Sequence, residues 1–151
     1  MTDRFRVVPA AYVVLRRADQ VLLQLRQGSN YMDGHWSMAA AGHVEVGESA
    51  FDAARREASE ELGIAIKPDA LRPLCAMHRT NGNSKEVDER VDFFFECSQW
   101  GGDPRLIETD KTADLRWFDL NALPRPIVPH ELFVLKHLHD RNLPPLVAFG
   151  F

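Results

Sequence analysis

The sequence predicts an α/β sandwich built as a single domain. Two observations indicate this class: short runs typical of β-strands stand on both sides of one clear helix, and a second helix follows near the C-terminus. The chain has 151 residues, of which 45% are hydrophobic and 26% are charged, and these values suit one globular domain with its own core. We therefore expect one domain over residues 1–151.

The first elements of the chain have the pattern of strands. Residues 5–15 and 21–25 are extended runs, and the turn at residues 18–20 between them favours a hairpin. A loop that contains glycine and asparagine follows at residues 28–34. The short apolar segment at residues 35–46 ends in glycine-bounded turns, which predicts a strand followed by a loop.

Residues 49–62 form the clearest predicted helix. Ser49 can cap the first turn, and Asp52 stands three positions later, as in a capping box. Gly63 follows the last helical residue, where a left-handed conformation commonly ends a helix. The first and last turns of this helix are therefore both marked in the sequence.

The second half of the chain predicts three more strands and one more helix. The β-like runs are at residues 71–79, 91–97 and 115–118, and polar loops at 80–89 and 101–112 separate them. The last helix is predicted at residues 130–141, because it begins after Pro129 and ends before Pro144 and Pro145.

Charge and cysteine content exclude some classes of protein. A net charge of −4 argues against a broad basic surface for duplex nucleic acid, although it allows a small ligand that carries phosphates. Cys75 and Cys97 have neither metal-binding nor redox spacing, so we expect both thiols to be buried and reduced.

No run approaches the roughly 20 apolar residues that a membrane helix requires. The apolar segment at residues 7–15 is short, and Arg16 and Arg17 follow it where a signal peptide would have small residues. It is therefore interpreted as a strand. We expect a cytoplasmic protein without a membrane partner.

Three glutamates share one side of the predicted helix at residues 49–62. They are Glu57, Glu60 and Glu61, at positions i, i+3 and i+4. The stripe expected to face the core comprises Phe51, Ala54, Ala58 and Leu62. Ala50 and Ala53 precede the acids on their own side, where small side chains leave room beside the carboxylates.

An acidic surface in contact with solvent is one explanation of these glutamates. The acids lie next to the core stripe, however, and no lysines alternate with them as on a helix laced with salt bridges. Like charges at this spacing repel, and a hard divalent cation such as Mg²⁺ would relieve the repulsion. The spacing alone leaves both explanations open.

The segment that contains these acids resembles the Nudix box. Residues 42–64 match its pattern, and all seven fixed positions are filled: Gly42, Glu48, Arg56, Glu57, Glu60, Glu61 and Gly63. Ala58 stands where a bulkier aliphatic residue is usual. The flanking residues 21–26, Trp36 and residues 115–118 also look similar to members of the family, so the resemblance covers residues 5–142.

The resemblance implies a Nudix-type α/β/α sandwich with a mixed β-sheet. It also implies a Mg²⁺-dependent hydrolase, with Mn²⁺ as a substitute, that cleaves a pyrophosphate bond in a nucleoside-diphosphate-linked substrate. By position, the expected metal ligands are Glu57, Glu60, Glu61 and the backbone carbonyl of Gly42. Arg56 and Glu48 are similar to the pair that supports the catalytic glutamates through a salt bridge.

In such a hydrolase a carboxylate takes the proton of the attacking water. The resemblance does not fix which glutamate has this role, and we assign it to Glu60, one of the three acids. Glu108 and Asp110, in the polar loop at residues 101–112, are the other candidates for the base or for a further metal ligand.

Two other functions remain open for a chain with this resemblance. The first is an enzyme like isopentenyl-diphosphate isomerase, which uses a catalytic cysteine near the tryptophan that matches Trp36, where this chain has Met38 and Ala39. The second is a Nudix module that binds a ligand without catalysis, although such modules often have eroded boxes. The substrate is expected to be a small nucleotide-type molecule, and a homodimer is the commonest assembly.

Overall fold

The computed structural model describes residues 3–151. Its eight strands are β1 (Val8–Arg17), β2 (Gln20–Arg26), β3 (Trp36–Met38), β4 (Ala40–His43), β5 (Arg72–Arg79), β6 (Arg90–Cys97), β7 (Thr112–Asp119) and β8 (Leu146–Phe149). The two α-helices are α1 (Ala50–Leu62) and α2 (Pro129–His139), and short 3₁₀ turns stand at Pro68–Ala70 and Glu86–Asp88.

The strands form one mixed sheet with β1 at its centre. The order along the sheet is β3-β2-β1-β6-β5-β8, with β4 paired to β1 and β7 paired to β2. Strand β1 runs parallel to β6 and β5 runs parallel to β8, whereas the remaining pairs are antiparallel. The predicted α/β sandwich with a mixed sheet is confirmed.

Strand β1 is buried on both faces. Ala10, Tyr12 and Val14 point into a core that also contains the buried residues of α2. Ala11, Val13 and Leu15 point into a second core, against α1. Because successive side chains of a strand point to opposite faces, this continuous apolar run belongs between two helical layers.

Helix α1 packs on the sheet through small residues. Its buried side chains are Ala53, Ala54, Ala58 and Leu62. Two expectations for this helix were wrong: Phe51 is 43% exposed and lies against Phe95, and Ala53 belongs to the core. Alanines allow the helix to approach the sheet closely, so the packed face turns toward Ala53 and leaves Phe51 at the edge.

Both ends of α1 are formed as predicted. Ser49 accepts a hydrogen bond from the Asp52 N–H (3.1 Å), and the Asp52 carboxylate accepts one from the Ser49 N–H (3.2 Å). Gly63 follows in the left-handed conformation at φ 68°, and its N–H donates to the Ser59 carbonyl. The capping box fixes the start of the helix that contains the three glutamates.

The structure differs from the predicted elements in two segments. Residues 35–46 were predicted as one strand and form two short strands. The first, β3, pairs with β2, and the second, β4, pairs with β1, so the pairing partner changes at Ala39. Strand β8 was not predicted, since four residues after two prolines have no recognisable period. The hairpin of β1 and β2 is as expected, with Arg17 opposite Gln20.

Neither helix within residues 3–151 combines the length and the apolar character that crossing a membrane would require. Cys75 and Cys97 are both buried and free, and burial raises the pKa of each thiol.

Candidate active site

The acidic side of α1 faces strand β4. A Cβ atom added to Gly42 would overlap the carboxylate of Glu57, so a larger residue at this position of the strand would displace that carboxylate. The side chain of Glu57 is 13% exposed. The predicted ligands Gly42 and Glu57 are therefore in direct contact, and the contact depends on the missing side chain of the glycine.

Glu61 lies beside Glu57 in the same partly buried space. Its Oε2 accepts a hydrogen bond from the Ala41 N–H at 3.1 Å. Burial raises the pKa of Glu61 to about 9, and the hydrogen bond with Glu57, its charge and the charge of Glu108 add to the rise. Two carboxylates held this close cannot both carry their charge without a compensating cation or a shared proton.

Arg56 connects the acidic side of the helix to the preceding loop. Its Nε and Nη2 donate to the two carboxylate oxygens of Glu48, at 3.1 and 2.7 Å, in a bidentate pair. Its Nη1 donates to Glu57 at 2.8 Å and to Glu60 at 3.3 Å. Hydrogen bonds with Glu48 raise the pKa of Arg56, so the guanidinium remains charged beside the acids.

Glu60 differs from its two neighbours in exposure. Its side chain is 57% exposed and its recorded partner is Arg56. Across residues 3–151, no three histidine, cysteine, aspartate or glutamate side chains are gathered in the arrangement of a metal site. The structure thus brings Glu57, Glu61 and Gly42 together and places Glu60 at the solvent side of the same helix.

The donor set at this place fits a hard divalent cation. The carboxylates of Glu57 and Glu61 offer oxygen donors, and the two groups lie together in a partly buried space. Mg²⁺ and Mn²⁺ prefer such ligands, and a bound cation would remove the repulsion that otherwise keeps one carboxyl protonated.

The loop that contains Glu108 is attached to the end of α1. The N–H groups of Arg105 and Ile107 donate to the carbonyls of Leu62 and Glu61, at 3.1 and 3.2 Å. Glu108 and Asp110 are both exposed, and the charge of Glu108 acts on Glu61. These main-chain hydrogen bonds keep Glu108 at the end of the helix that contains the acids.

A cavity of about 350 Å³ opens beside Glu61 and Gly42. Three residues of its wall, Tyr12, Arg79 and His130, belong to a buried polar network that the sequence did not indicate. Arg79 donates to Asp92 at 2.7 Å, and the His130 ring and the Tyr12 hydroxyl are 3.1 Å apart. The network extends from β1 to α2, so the floor of the cavity is fixed by several elements at once.

Glu131 is a second group in this wall that sequence reasoning missed. It is 4% exposed, and its Oε1 accepts a hydrogen bond from the Met38 N–H at 2.7 Å. The signal that was available is its position in the first turn of α2, directly after Pro129 and His130. A single acid at a helix start is too common to indicate burial.

Comparison with known proteins gives consistent matches. The sequence model of the NUDIX domain matches residues 6–138. The human 8-oxo-dGDP phosphatase NUDT18 is 30% identical over 135 residues, 83% of this chain and 36% of that protein. The NAD-capped RNA hydrolase NudC of Pseudomonas syringae pv. tomato is 31% identical over 119 residues, 79% of this chain and 38% of that protein.

A solved structure supports the same grouping. The crystal structure of the MutT NUDIX hydrolase from Burkholderia pseudomallei has a TM-score of 0.78 and 27% identity, over 87% of this chain and 97% of that one. The chain is also 33% identical over 104 residues to isopentenyl-diphosphate Delta-isomerase 1 of Aromatoleum aromaticum, 68% of this chain and 56% of that protein. The two hydrolase relatives are more than twice as long as their matched segments, since the match spans 36% and 38% of them.

Proposed function

Because the chain belongs to the NUDIX domain family, we propose that it is a Mg²⁺-dependent hydrolase that cleaves a pyrophosphate bond in a nucleoside-diphosphate-linked substrate. The observation that supports this proposal best is the pair of facing carboxylates, Glu57 and Glu61, packed against Gly42 beside a cavity. An acidic surface that served only solubility would not hold two carboxyls in a partly buried space.

Glu57, Glu61, Glu60 and the carbonyl of Gly42 are the proposed metal ligands. When bound, the cation would neutralise the charge of the pyrophosphate and make the attacking water more acidic. Arg56 holds Glu57 through a hydrogen bond of 2.8 Å and is itself held by Glu48, so the pair orients the ligand.

The protein must also supply a group that accepts the proton of the attacking water. We assign it to a carboxylate oxygen of Glu60, because this side chain reaches solvent and belongs to the same helix side as the buried pair. Glu108 is the second candidate, since its charge acts on Glu61 from the adjoining loop.

A hydrolysis panel tests the proposal. Purified protein is assayed with Mg²⁺, with Mn²⁺ and with chelator against ordinary and oxidised nucleoside triphosphates, nucleotide sugars, ADP-ribose and dinucleoside polyphosphates. We expect cleavage of at least one class with metal and its loss in chelator. Full activity in chelator would disprove the metal requirement.

The similarity to an isopentenyl-diphosphate isomerase favours the isomerase-like alternative, whereas the residues of the cavity argue against it. The cavity beside the acids has no cysteine in its wall, and Cys75 and Cys97 are buried elsewhere in the sheet. A ligand-binding module without catalysis would not require the complete set of box residues. Isopentenyl diphosphate, assayed for rearrangement beside the hydrolysis panel, separates these functions.

The proposed assembly is a homodimer with two-fold symmetry, the commonest form among soluble oligomers. Light scattering on the purified chain should give twice its mass of 17.1 kDa. A mass of 17.1 kDa over the whole concentration range would show a monomer.

A further inference from the structure

The last turn of helix α2 borders a cleft that is separate from the proposed active site. The cleft has a volume of about 560 Å³, within the range of pockets that hold small ligands. The cavity beside the glutamates borders the start of α2, at His130 and Glu131. The cleft borders its end, at His137 and His139, roughly 10 Å further along the helix at 1.5 Å per residue. The two cavities have no lining residue in common.

Three arginines from different elements line this cleft. Arg16 lies near the end of β1, Arg72 begins β5, and Arg141 follows α2. The acid in the wall is Asp19, whose side chain is 92% exposed and lies 3.8 Å from Arg16, so solvent screens most of its charge. The cleft is therefore positively charged, although the whole chain has a net charge of −4.

Glu96 holds two of these arginines side by side. It belongs to β6, which lies between β1 and β5 in the sheet, and its side chain is 12% exposed. Its Oε2 accepts hydrogen bonds from Nη1 of Arg16 at 3.3 Å and from Nη2 of Arg72 at 3.1 Å. One carboxylate neutralises only one of the two guanidiniums. For Nε and Nη1 of Arg72, no hydrogen-bond partner is recorded within residues 3–151, so both groups can donate to a ligand.

Arg141 has a backbone conformation that favours glycine. Its φ is 57°, in the left-handed region, directly after the C-terminal cap of α2. Glycine or asparagine is usual at such a helix end, because other side chains are strained there. Its N–H donates to the Leu138 carbonyl, whereas its guanidinium has no recorded partner in the described part of the chain. A strained residue whose side chain holds nothing within the protein indicates a role toward a ligand.

We propose that this cleft is a second binding site, for a small anion that carries phosphate groups, with Arg16, Arg72 and Arg141 as its contacts. Three guanidiniums against the one buried carboxylate of Glu96 leave two positive charges, which match a phosphate dianion better than a carboxylate. Arginine donates pairs of parallel hydrogen bonds to phosphate oxygens.

The rest of the wall favours the same kind of ligand. Leu120 and Leu138, both buried, line the cleft beside the arginines. Apolar side chains exclude water from one side of a bound anion, which strengthens its charged hydrogen bonds. Inorganic phosphate, pyrophosphate and the phosphate group of a nucleotide share this chemistry. The site does not depend on the proposed hydrolysis, because it lies at the other end of α2.

Nuclear magnetic resonance locates the bound anion. The isotope-labelled chain is titrated in chelator with inorganic phosphate, pyrophosphate and adenosine 5′-monophosphate, and with sodium chloride at equal ionic strength. We expect the amide signals of Asn121, Arg141 and Asn142 to shift saturably with phosphate ligands and not with chloride. The amides of Ala41 and Gly42 report on the proposed active site in the same spectra. The relative affinities distinguish an inorganic ion from a nucleotide as the source of the phosphate.

Two variants separate ligand binding from a structural role. Arg141→Gly removes the guanidinium and relieves the backbone strain, so it should weaken phosphate binding at least about tenfold and leave Tm unchanged or higher. Arg72→Gln should weaken binding by a similar factor. Arg116→Gln is the matched control, because Arg116 is also 65% exposed and also has one carboxylate partner, Asp114. It should not change phosphate binding.

Several results would overturn the second site. These are the absence of saturable shifts at the cleft amides, equal shifts with chloride, shifts confined to Ala41 and Gly42, and unchanged phosphate affinity in both Arg141→Gly and Arg72→Gln. A lower Tm for Arg141→Gly would give Arg141 a structural role and remove it from the contacts. Saturable cleft shifts that both variants weaken would support the site, whether or not the panel shows hydrolysis.

Discussion

The three glutamates of α1 have different surroundings although they share one helix side. Glu61 is partly buried and accepts a hydrogen bond from the Ala41 N–H, Glu57 is in contact with Gly42 and held by Arg56, and Glu60 extends toward solvent. Substitution by glutamine keeps the size of each side chain and removes its charge. Each position therefore reports on a different part of the proposed chemistry.

We expect Glu57→Gln, Glu60→Gln and Glu61→Gln each to lower turnover at least about a hundredfold, the usual scale for a lost ligand or proton acceptor. The fold should persist, because loss of like-charge repulsion does not harm the helix. Steady-state kinetics and thermal unfolding measure the two effects, with Glu86→Gln as the control. Near-normal turnover in all three variants would locate the site elsewhere.

Glu108 lies outside α1, so its contribution to turnover can be tested without changing the helix. We expect Glu108→Gln to lower turnover while the apparent Mg²⁺ requirement remains, because its charge reaches Glu61 across the hydrogen-bonded loop. Asp110→Asn, two positions further along the same exposed loop, should have a smaller effect. Steady-state kinetics of both variants on the best substrate of the panel test this prediction. Unchanged kinetics for Glu108→Gln would leave only the box glutamates as candidates for the group that accepts the proton.

Glu131 gives a prediction about stability and pH. Its pKa in the folded protein is about 7, against 4.5 for an ordinary glutamate, so the folded state keeps a proton that the unfolded state loses between these values. The free energy of unfolding therefore falls as pH rises from 4.5 to about 7, by roughly 3 kcal/mol at ~1.4 kcal/mol per pH unit.

Urea unfolding at a series of pH values measures this contribution. Glutamine at position 131 cannot ionise, so Glu131→Gln should gain stability relative to the unaltered protein as pH rises through the window. Other titrating groups change the free energy of unfolding of both proteins equally. Subtracting the value of one protein from that of the other at each pH therefore isolates the contribution of Glu131. A difference that stays constant from pH 4.5 to pH 7 would contradict the raised pKa of Glu131.

Among the elements, α1 depends on its capping box. Ser49 and Asp52 satisfy two N–H groups at the start of the helix. We expect Ser49→Ala to lower the free energy of unfolding by about 1 kcal/mol. Ser59→Ala, at an exposed interior position of the same helix, is the control in chemical denaturation. Equal stabilities for the two variants would mean that the cap does not hold the helix.

The capped helix and its acids could be predicted because their signals are local. Ser49, Asp52 and Gly63 mark the ends of α1, and the spacing of the glutamates places them on one side whatever surrounds them. The contact face could not be predicted with the same accuracy. On hydrophobicity alone, Phe51 is expected to be buried before Ala53. In the structure Ala53 packs against the sheet, and the Phe51 ring is partly exposed at the edge of the interface.

The buried acids were not predictable for a different reason. Asp92 is fully buried because Arg79, on the neighbouring strand, pairs with it, and Glu131 is buried because Met38, on β3, donates to it. Both partners are distant in sequence, and neither acid stands in a pattern of its own. Strand β8 could not be predicted, because it forms by pairing with β5 and its own four residues have no strand pattern.

At the scale of the whole molecule, the pairing of β1 with β6 has a consequence for folding. Val8 lies beside Arg90, and Leu15 lies beside Cys97, so the middle of the sheet joins the first strand to one that the ribosome makes much later. Until Cys97 has left the exit tunnel, β1 can pair with β2 and β4 but lacks its parallel neighbour β6. Contacts of this sequence separation slow folding, and the nascent N-terminal strand is the segment that a chaperone would have to shield.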